Sequence, residues 1–282
     1  MLVELFTSEG CPHCPEADSL LERLFTSQSV KGAEIVALEE HVDYWDRPTW
    51  TDHFASPVYT ERQKAYADAM DLDSLYTPQM VVDGLMEFVG VNENRARTAI
   101  ATLGHAPKAS ARLVPLAPNA QTNQKGKPNE KDAGALRIAA SASVELPADH
   151  PTAEAYLVVA EDKLISRVGG GSNKGETWPH SSVARSFERV AEIPQGQQHF
   201  AGSLDVSLGK QPGNWQNLRV ILIIQEKEDR HVLAVETVRL ADLVPELHGQ
   251  KTPGADAATP AESKVAAASS NKSGASGTAP ER

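Results

Sequence analysis

Leu2-Val3-Glu4-Leu5-Phe6-Thr7-Ser8-Glu9-Gly10-Cys11-Pro12-His13-Cys14-Pro15-Glu16-Ala17-Asp18 runs a strand, a cysteine pair and a helix start together without a break. Leu2–Phe6 reads as a core strand. Pro15 to about Ser27 reads as a helix, with Leu20, Leu21 and Leu24 on one face at 3.6-residue spacing. The two cysteines are the only ones in the chain. A disulfide-stapled fold would spread several pairs along its length, so stapling is excluded. Redox chemistry, metal binding and two inert thiols remain.

Thiol–disulfide exchange needs an attacking thiolate, a second thiol close enough to resolve the mixed disulfide, and access for a partner. A two-residue spacing at a helix start brings both sulfurs to the positive end of the helix dipole, where unpaired N–H groups stabilise an anion. Pro12 and Pro15 suit the first turn. Cys11 is therefore expected as the exposed nucleophile and Cys14 as the more buried resolving thiol. His13, between them, can donate a hydrogen bond or positive charge to the Cys11 anion and so make the pair more oxidising. Pro-His is also the dipeptide of strongly oxidising periplasmic disulfide oxidoreductases, a local resemblance. The redox reading requires that Cys11 be reachable from water. A zinc site would call for about four ligands at matched spacing, and His41, His53 and His105 show no such spacing.

Further along, Ala33–Leu38 is expected as a strand and Pro57 to Met70 as a helix. Met80–Val82 and Leu85–Val89 form a hairpin across Asp83-Gly84. Asn92 caps a last helix through Ala101, ended by Gly104. Strand, helix, strand, helix, hairpin, helix is the order of the minimal thioredoxin fold, and an α/β thioredoxin-like domain is expected over residues 1–106. In that fold the proline of Tyr76-Thr77-Pro78 would be cis and face the disulfide, although an arbitrary X–Pro bond is cis only about 5–6% of the time. Pro78 would then shape the docking surface, and the Thr77 backbone would pair with an extended substrate segment. The loop Val42–Pro57 carries Tyr44, Trp45, Trp50, His53 and Phe54. It is read as a loop packing its own aromatics or as a wall holding substrate, with Tyr44 and Trp45 the candidate contacts. Arg62, Gln63 and Tyr66 are expected to form a packed, hydrogen-bonded face.

From Ala109 the texture changes to short strand-like runs, among them Leu136–Val144, Ala155–Val159, Val183–Ile193 and Leu218–Ile224. An all-β sandwich-like domain is expected over residues 109–245, with a mobile loop at about 117–134. Residues 249–282 are rich in Ala, Ser, Lys, Gly and Pro and are expected as a disordered tail. Gly169-Gly170-Gly171-Ser172-Asn173-Lys174-Gly175 lacks the order of a phosphate loop and reads as a hairpin tip. The net charge of −11 argues against nucleic acid and anionic membranes as partners, and no stretch approaches the ~20 apolar residues of a membrane span. The first strand follows Met1 directly, with no signal segment ahead of it, which suggests processing, trimming or a misplaced start.

With these residues laid out, the chain resembles a bacterial secreted family, domain of unknown function 1223. The likeness rests on Val3 to Cys11, Cys14 to Asp18, His41-Val42-Asp43-Tyr44-Trp45-Asp46, Trp50, Arg62-Gln63, Tyr66, Tyr76-Thr77-Pro78-Gln79 and Val81-Val82-Asp83-Gly84. A looser pattern adds Asn173, Gly175, His180, Val183 and Arg185. The resemblance implies a thioredoxin-like domain with a β-rich extension, exported to the periplasm or beyond, and brings no settled activity. Pro-His stands here where Ser-Ser is common in the family.

The expected function is a thiol–disulfide oxidoreductase acting on protein or small-molecule thiols and disulfides. It needs no cofactor and no metal, and the sequence does not assign an oligomeric state. The alternatives are a non-catalytic protein that holds Cu(I) or Zn(II) on its thiols with His13, and an adaptor whose dithiol senses oxidation.

Overall fold

Strand β1 (Leu2–Thr7) is buried along its whole length, as a strand covered on both faces must be. It pairs in parallel with β2 (Val36–His41), Leu2 opposite Val36, and antiparallel with β3 (Gln79–Val82), Val3 opposite Val82. β3 turns into β4 (Met86–Val89) through Asp83-Gly84, both at positive φ. A Cβ on Gly84 would lie 1.8 Å from the Arg230 carbonyl oxygen, so that turn admits only glycine. Helices α1 (Cys14–Ser27), α2 (Pro57–Ala69) and α3 (Glu93–Leu103) complete the first half. Ser56 caps α2 by accepting from the Val58 N–H, and Asn92 caps α3 by accepting from Arg95 N–H. The structure, a computed structural model, describes residues 1–106, 108–115, 137–207 and 214–243.

The second half supplies β5 (Ser110–Pro115), β6 (Arg137–Glu145), β7 (Ala153–Glu161), β8 (Leu164–Arg167), β9 (Thr177–His180), β10 (Val183–Ile193), β11 (His199–Ser207), β12 (Leu218–Glu226) and β13 (Val232–Arg239). β8 and β9 were not anticipated. Each has four residues, and Leu-Ile-Ser-Arg and Thr-Trp-Pro-His carry no strand pattern. The three-stranded sheet β11-β6-β5 shares an apolar cluster with β7 and β12, in which Ala142, Val144, Leu157, Val159, Val220 and Leu222 pack together. β7 and β12 belong to a larger sheet that does not stop at the second half. The order β13-β12-β7-β10-β2-β1-β3-β4 is one mixed eight-stranded sheet, joined where Val183 of β10 lies parallel to Glu39 of β2.

Two-residue alternation sorts the strands' side chains between the faces of this sheet. Val3 and Leu5 pack under α1 and α3 with Leu20, Leu21, Leu24, Ala96 and Ile100. Leu2, Leu38, Val158 and Ile221 share the opposite face with Tyr59 of α2, whose hydroxyl donates to the Ala184 carbonyl at 2.7 Å. The expected mobile loop at 117–134 and tail at 249–282 lie outside the described residues.

Arg62, Gln63 and Tyr66 form the hydrogen-bonded face anticipated for α2. Arg62 Nε donates to Glu4 Oε1 at 2.6 Å and Nη1 to Gln225 Oε1 at 3.1 Å, while Tyr66 donates to Glu4. This buried cluster ties β1 and α2 of the first half to β12 of the second.

Candidate functional site

β1 delivers its chain to the sheet edge, and Ser8-Glu9-Gly10 turns it into the cysteine pair. Cys11 and Cys14 are bonded to one another, their Cα atoms 5.5 Å apart. Cys14 is the first residue of α1, and its N–H donates to the Cys11 carbonyl at 3.4 Å. His13, at the N-cap, is exposed. Thr77–Pro78 is cis, and Pro78 immediately precedes β3.

The expected exposure of Cys11 is corrected. Both cysteines are 0% exposed. Neither belongs to an apolar cluster among the described residues. A polar side chain from the second half is bonded to the backbone of their loop. Asn173, in the turn between β8 and β9, donates from Nδ2 to the carbonyls of Glu9 at 2.9 Å and Cys11 at 2.8 Å. The glycines before it let that turn lie against the aromatic loop: a Cβ on Gly169 or Gly170 would come 2.6 or 2.5 Å from Trp50. The hairpin-tip reading of this glycine run holds, with the tip acting as a flap over the disulfide loop. Losing the two Asn173 bonds, each worth about 1 kcal/mol net, is expected to loosen the flap. Asn173→Ala should then raise the rate of disulfide reduction by dithiothreitol by up to about thirtyfold. An unchanged rate would show that the flap does not limit access.

Of the candidate substrate contacts, Trp45 and Thr77 meet directly, Trp45 Nε1 donating to Thr77 Oγ1 at 2.7 Å. Trp45 also backs the cysteine loop, since a Cβ on Gly10 would sit 3.2 Å from its Cβ. Tyr44 instead turns to α2 and donates to Gln63 at 3.1 Å. Trp50 stacks edge-on with His53 at 5.3 Å.

Below the disulfide loop lies a buried charged cluster that the sequence pattern did not reveal. His41, at the end of β2, donates from Nδ1 to Asp52 Oδ2 at 2.8 Å, and the same oxygen accepts the Glu9 N–H at 2.8 Å. Burial alone would lower the His41 imidazole, but Asp52 and Glu39 overcome it and push it up to about 10. Burial would likewise raise Asp52, yet His41 holds it well below the usual carboxylate range. Thr7 donates to Asp18 at 2.6 Å. Burial, helped by the negative field of Glu39, pushes the Asp18 carboxyl up to about 7.

A carboxyl raised in the folded state binds more protons there than when unfolded, so its contribution falls as pH rises through that window. Relative to Asp18→Asn, the wild-type chain is therefore expected to lose stability between pH 4 and 7 at up to about 1.4 kcal/mol per pH unit. Urea unfolding of both proteins at pH 5 and 7 reads this difference. A gap that does not change with pH contradicts it.

Residues far apart in the chain meet here, which is why spacing rules missed Asp52 and Glu39. His41 was weighed as a metal ligand and set aside on spacing, and Asn173 and His180 entered the pattern through the family likeness.

The fold is shared with solved structures. A crystal structure of a protein from Agrobacterium tumefaciens aligns with a TM-score of 0.57 at 19% identity, over 84% of this chain and 92% of that one. HBP35 of Porphyromonas gingivalis aligns with a TM-score of 0.55 at 11% identity, over 84% of this chain and 74% of its own. At these identities the likeness is one of fold. No curated protein matches the chain. The family described as Protein of unknown function (DUF1223) matches residues 2–225, most of the chain and every residue of the cysteine loop, flap and buried cluster. The chain belongs to the DUF1223 family.

Proposed function

We propose that the chain is a thiol–disulfide oxidoreductase with a thioredoxin-like first half, acting on protein or small-molecule thiols outside the cytoplasm. The observation that carries this reading is the Cys11–Cys14 bond at the first turn of α1, directly beyond the buried central strand. The thioredoxin-like reading is supported by the sheet order β2-β1-β3-β4, parallel at β1–β2 and antiparallel after it.

In the oxidising direction a partner thiolate attacks Cys11 Sγ. The Cys11–Cys14 bond breaks, its electron pair leaves on Cys14 as a thiolate, and a mixed disulfide joins Cys11 to the partner. A second partner thiolate attacks the partner's sulfur in that bond, forming the partner disulfide and releasing Cys11 as a thiolate. The helix N-terminus stabilises the released anions, and His13 can add positive charge. Pro78, Thr77 and Trp45 supply the surface against which the partner lies, while Tyr44 supports it through Gln63. The cover over Cys11 makes flap opening part of the cycle.

Trapping tests the roles. Reduced Cys14→Ser incubated with glutathione disulfide should accumulate a glutathione adduct on Cys11, visible by mass spectrometry. The wild-type chain should resolve that adduct. Adduct formation on Cys14 in Cys11→Ser, with none on Cys11 in Cys14→Ser, would reverse the assignment.

A further inference from the structure

Glu39, His41 and His180 bring one ligand atom each to a single point, and all three side chains are fully buried. Glu39 and His41 lie two residues apart on β2, so they share a face. His180, the last residue of β9, enters from the second half beneath the flap hairpin. Glu39 Oε2 stands 3.3 Å from His180 Nδ1 and 3.8 Å from His41 Nε2, and all three atoms fall within 4.8 Å of one another. None of these three atoms has a hydrogen-bond partner. Leaving three buried polar atoms unpaired is costly, and a native site that does so calls for an explanation.

The remaining ring nitrogens are held. His41 Nδ1 is bound to Asp52 Oδ2 at 2.8 Å, and His180 Nε2 lies 2.9 Å from Ser166 Oγ. With Nδ1–H of His41 given to Asp52 and Nε2–H of His180 given to Ser166, the facing nitrogens His41 Nε2 and His180 Nδ1 can present lone pairs once a bound cation displaces their protons, the carboxylate–histidine arrangement that orients metal ligands. The spacing also fits. Tetrahedral ligands about 2.0–2.1 Å from zinc are separated by about 3.3 Å along each edge, and the observed 3.3 and 3.8 Å close to that with small side-chain movements.

We propose that Glu39, His41 and His180 bind one divalent transition-metal ion of the zinc class. Imidazole with carboxylate is a donor set for zinc and its first-row neighbours, and it involves neither cysteine. The ion would fasten β2 to β9, joining the two halves beneath the disulfide loop, and would enter as the chain folds because the ligands are closed to solvent.

The test uses the full chain with the disulfide intact, unfolded in chelator and refolded with zinc(II) or cobalt(II). One tightly held ion per chain is expected, with a raised Tm. Cobalt should give tetrahedral d–d bands without a thiolate charge-transfer band. The Cys11→Ser/Cys14→Ser variant should hold the ion as the wild type does. Ser166→Ala, which alters only an outer contact, should weaken binding about 10–100-fold, and His180→Ala should abolish it. Refolded wild-type chain without stoichiometric metal, a thiolate band, or loss of the ion with the cysteines would each overturn the proposal. Wild-type affinity in both His180→Ala and Ser166→Ala would do so as well.

Discussion

Arg62→Ala is expected to lower folding stability by about 3–5 kcal/mol, the cost of leaving buried charges without their partner. Arg62 is buried between Glu4 and Glu40, which are themselves fully buried. Burial and the neighbouring Glu4 already push Glu40 well above the usual carboxylate range, with Arg62 the main opposing influence. Removing the guanidinium leaves two carboxyl groups facing each other in the core. It also deletes the bonds to Tyr66 and to Gln225 of β12, so both halves are affected. Against a typical total of about 5–15 kcal/mol, such a loss approaches unfolding. Urea denaturation measures it directly. A loss under about 1 kcal/mol would place Arg62 among exposed pairs of little consequence and contradict its structural role.

Gly170→Val is expected to free the flap. The new Cβ would lie 2.5 Å from Trp50 Cβ and 3.1 Å from its Cγ. Those atoms are the stem of the side chain, which cannot swing aside as a flexible tip would, so the turn must lift. Lifting it strains the Asn173 bonds to the Glu9 and Cys11 carbonyls. Reduction of the disulfide should accelerate by at least about thirtyfold, the effect of losing two hydrogen bonds of about 1 kcal/mol each. Lys174→Ala, an exposed neighbour, provides the control. Equal rates in wild type, Gly170→Val and Lys174→Ala would mean that the turn does not guard the pair.

Local chemistry was legible in the sequence. The strand before Cys11, the helix after it, the helix from Pro57, the Asn92-capped helix and the Asp83-Gly84 hairpin are each set within a few residues, and each lies within three residues of its expected place. What depends on distant partners was not legible. Val183 meeting Glu39 merges the halves into one sheet, and no pattern within either half predicts that contact. Cys11 was expected at the surface because thiol–disulfide exchange needs access for a partner. The turn that lies against its loop is glycine-rich, and its sequence says only that it bends. Glu39, His41 and His180 looked ordinary one by one. Their significance appears only when β2 and β9 are side by side.

Whether the buried Cys11–Cys14 bond is a working redox pair is read most directly from its reduction potential. Equilibrating the native chain across defined thiol–disulfide buffers should give one reversible two-electron transition, at a potential above the about −270 mV of thioredoxin. A potential below about −300 mV, in the range of structural disulfides, or reduction only when the chain unfolds, would contradict it.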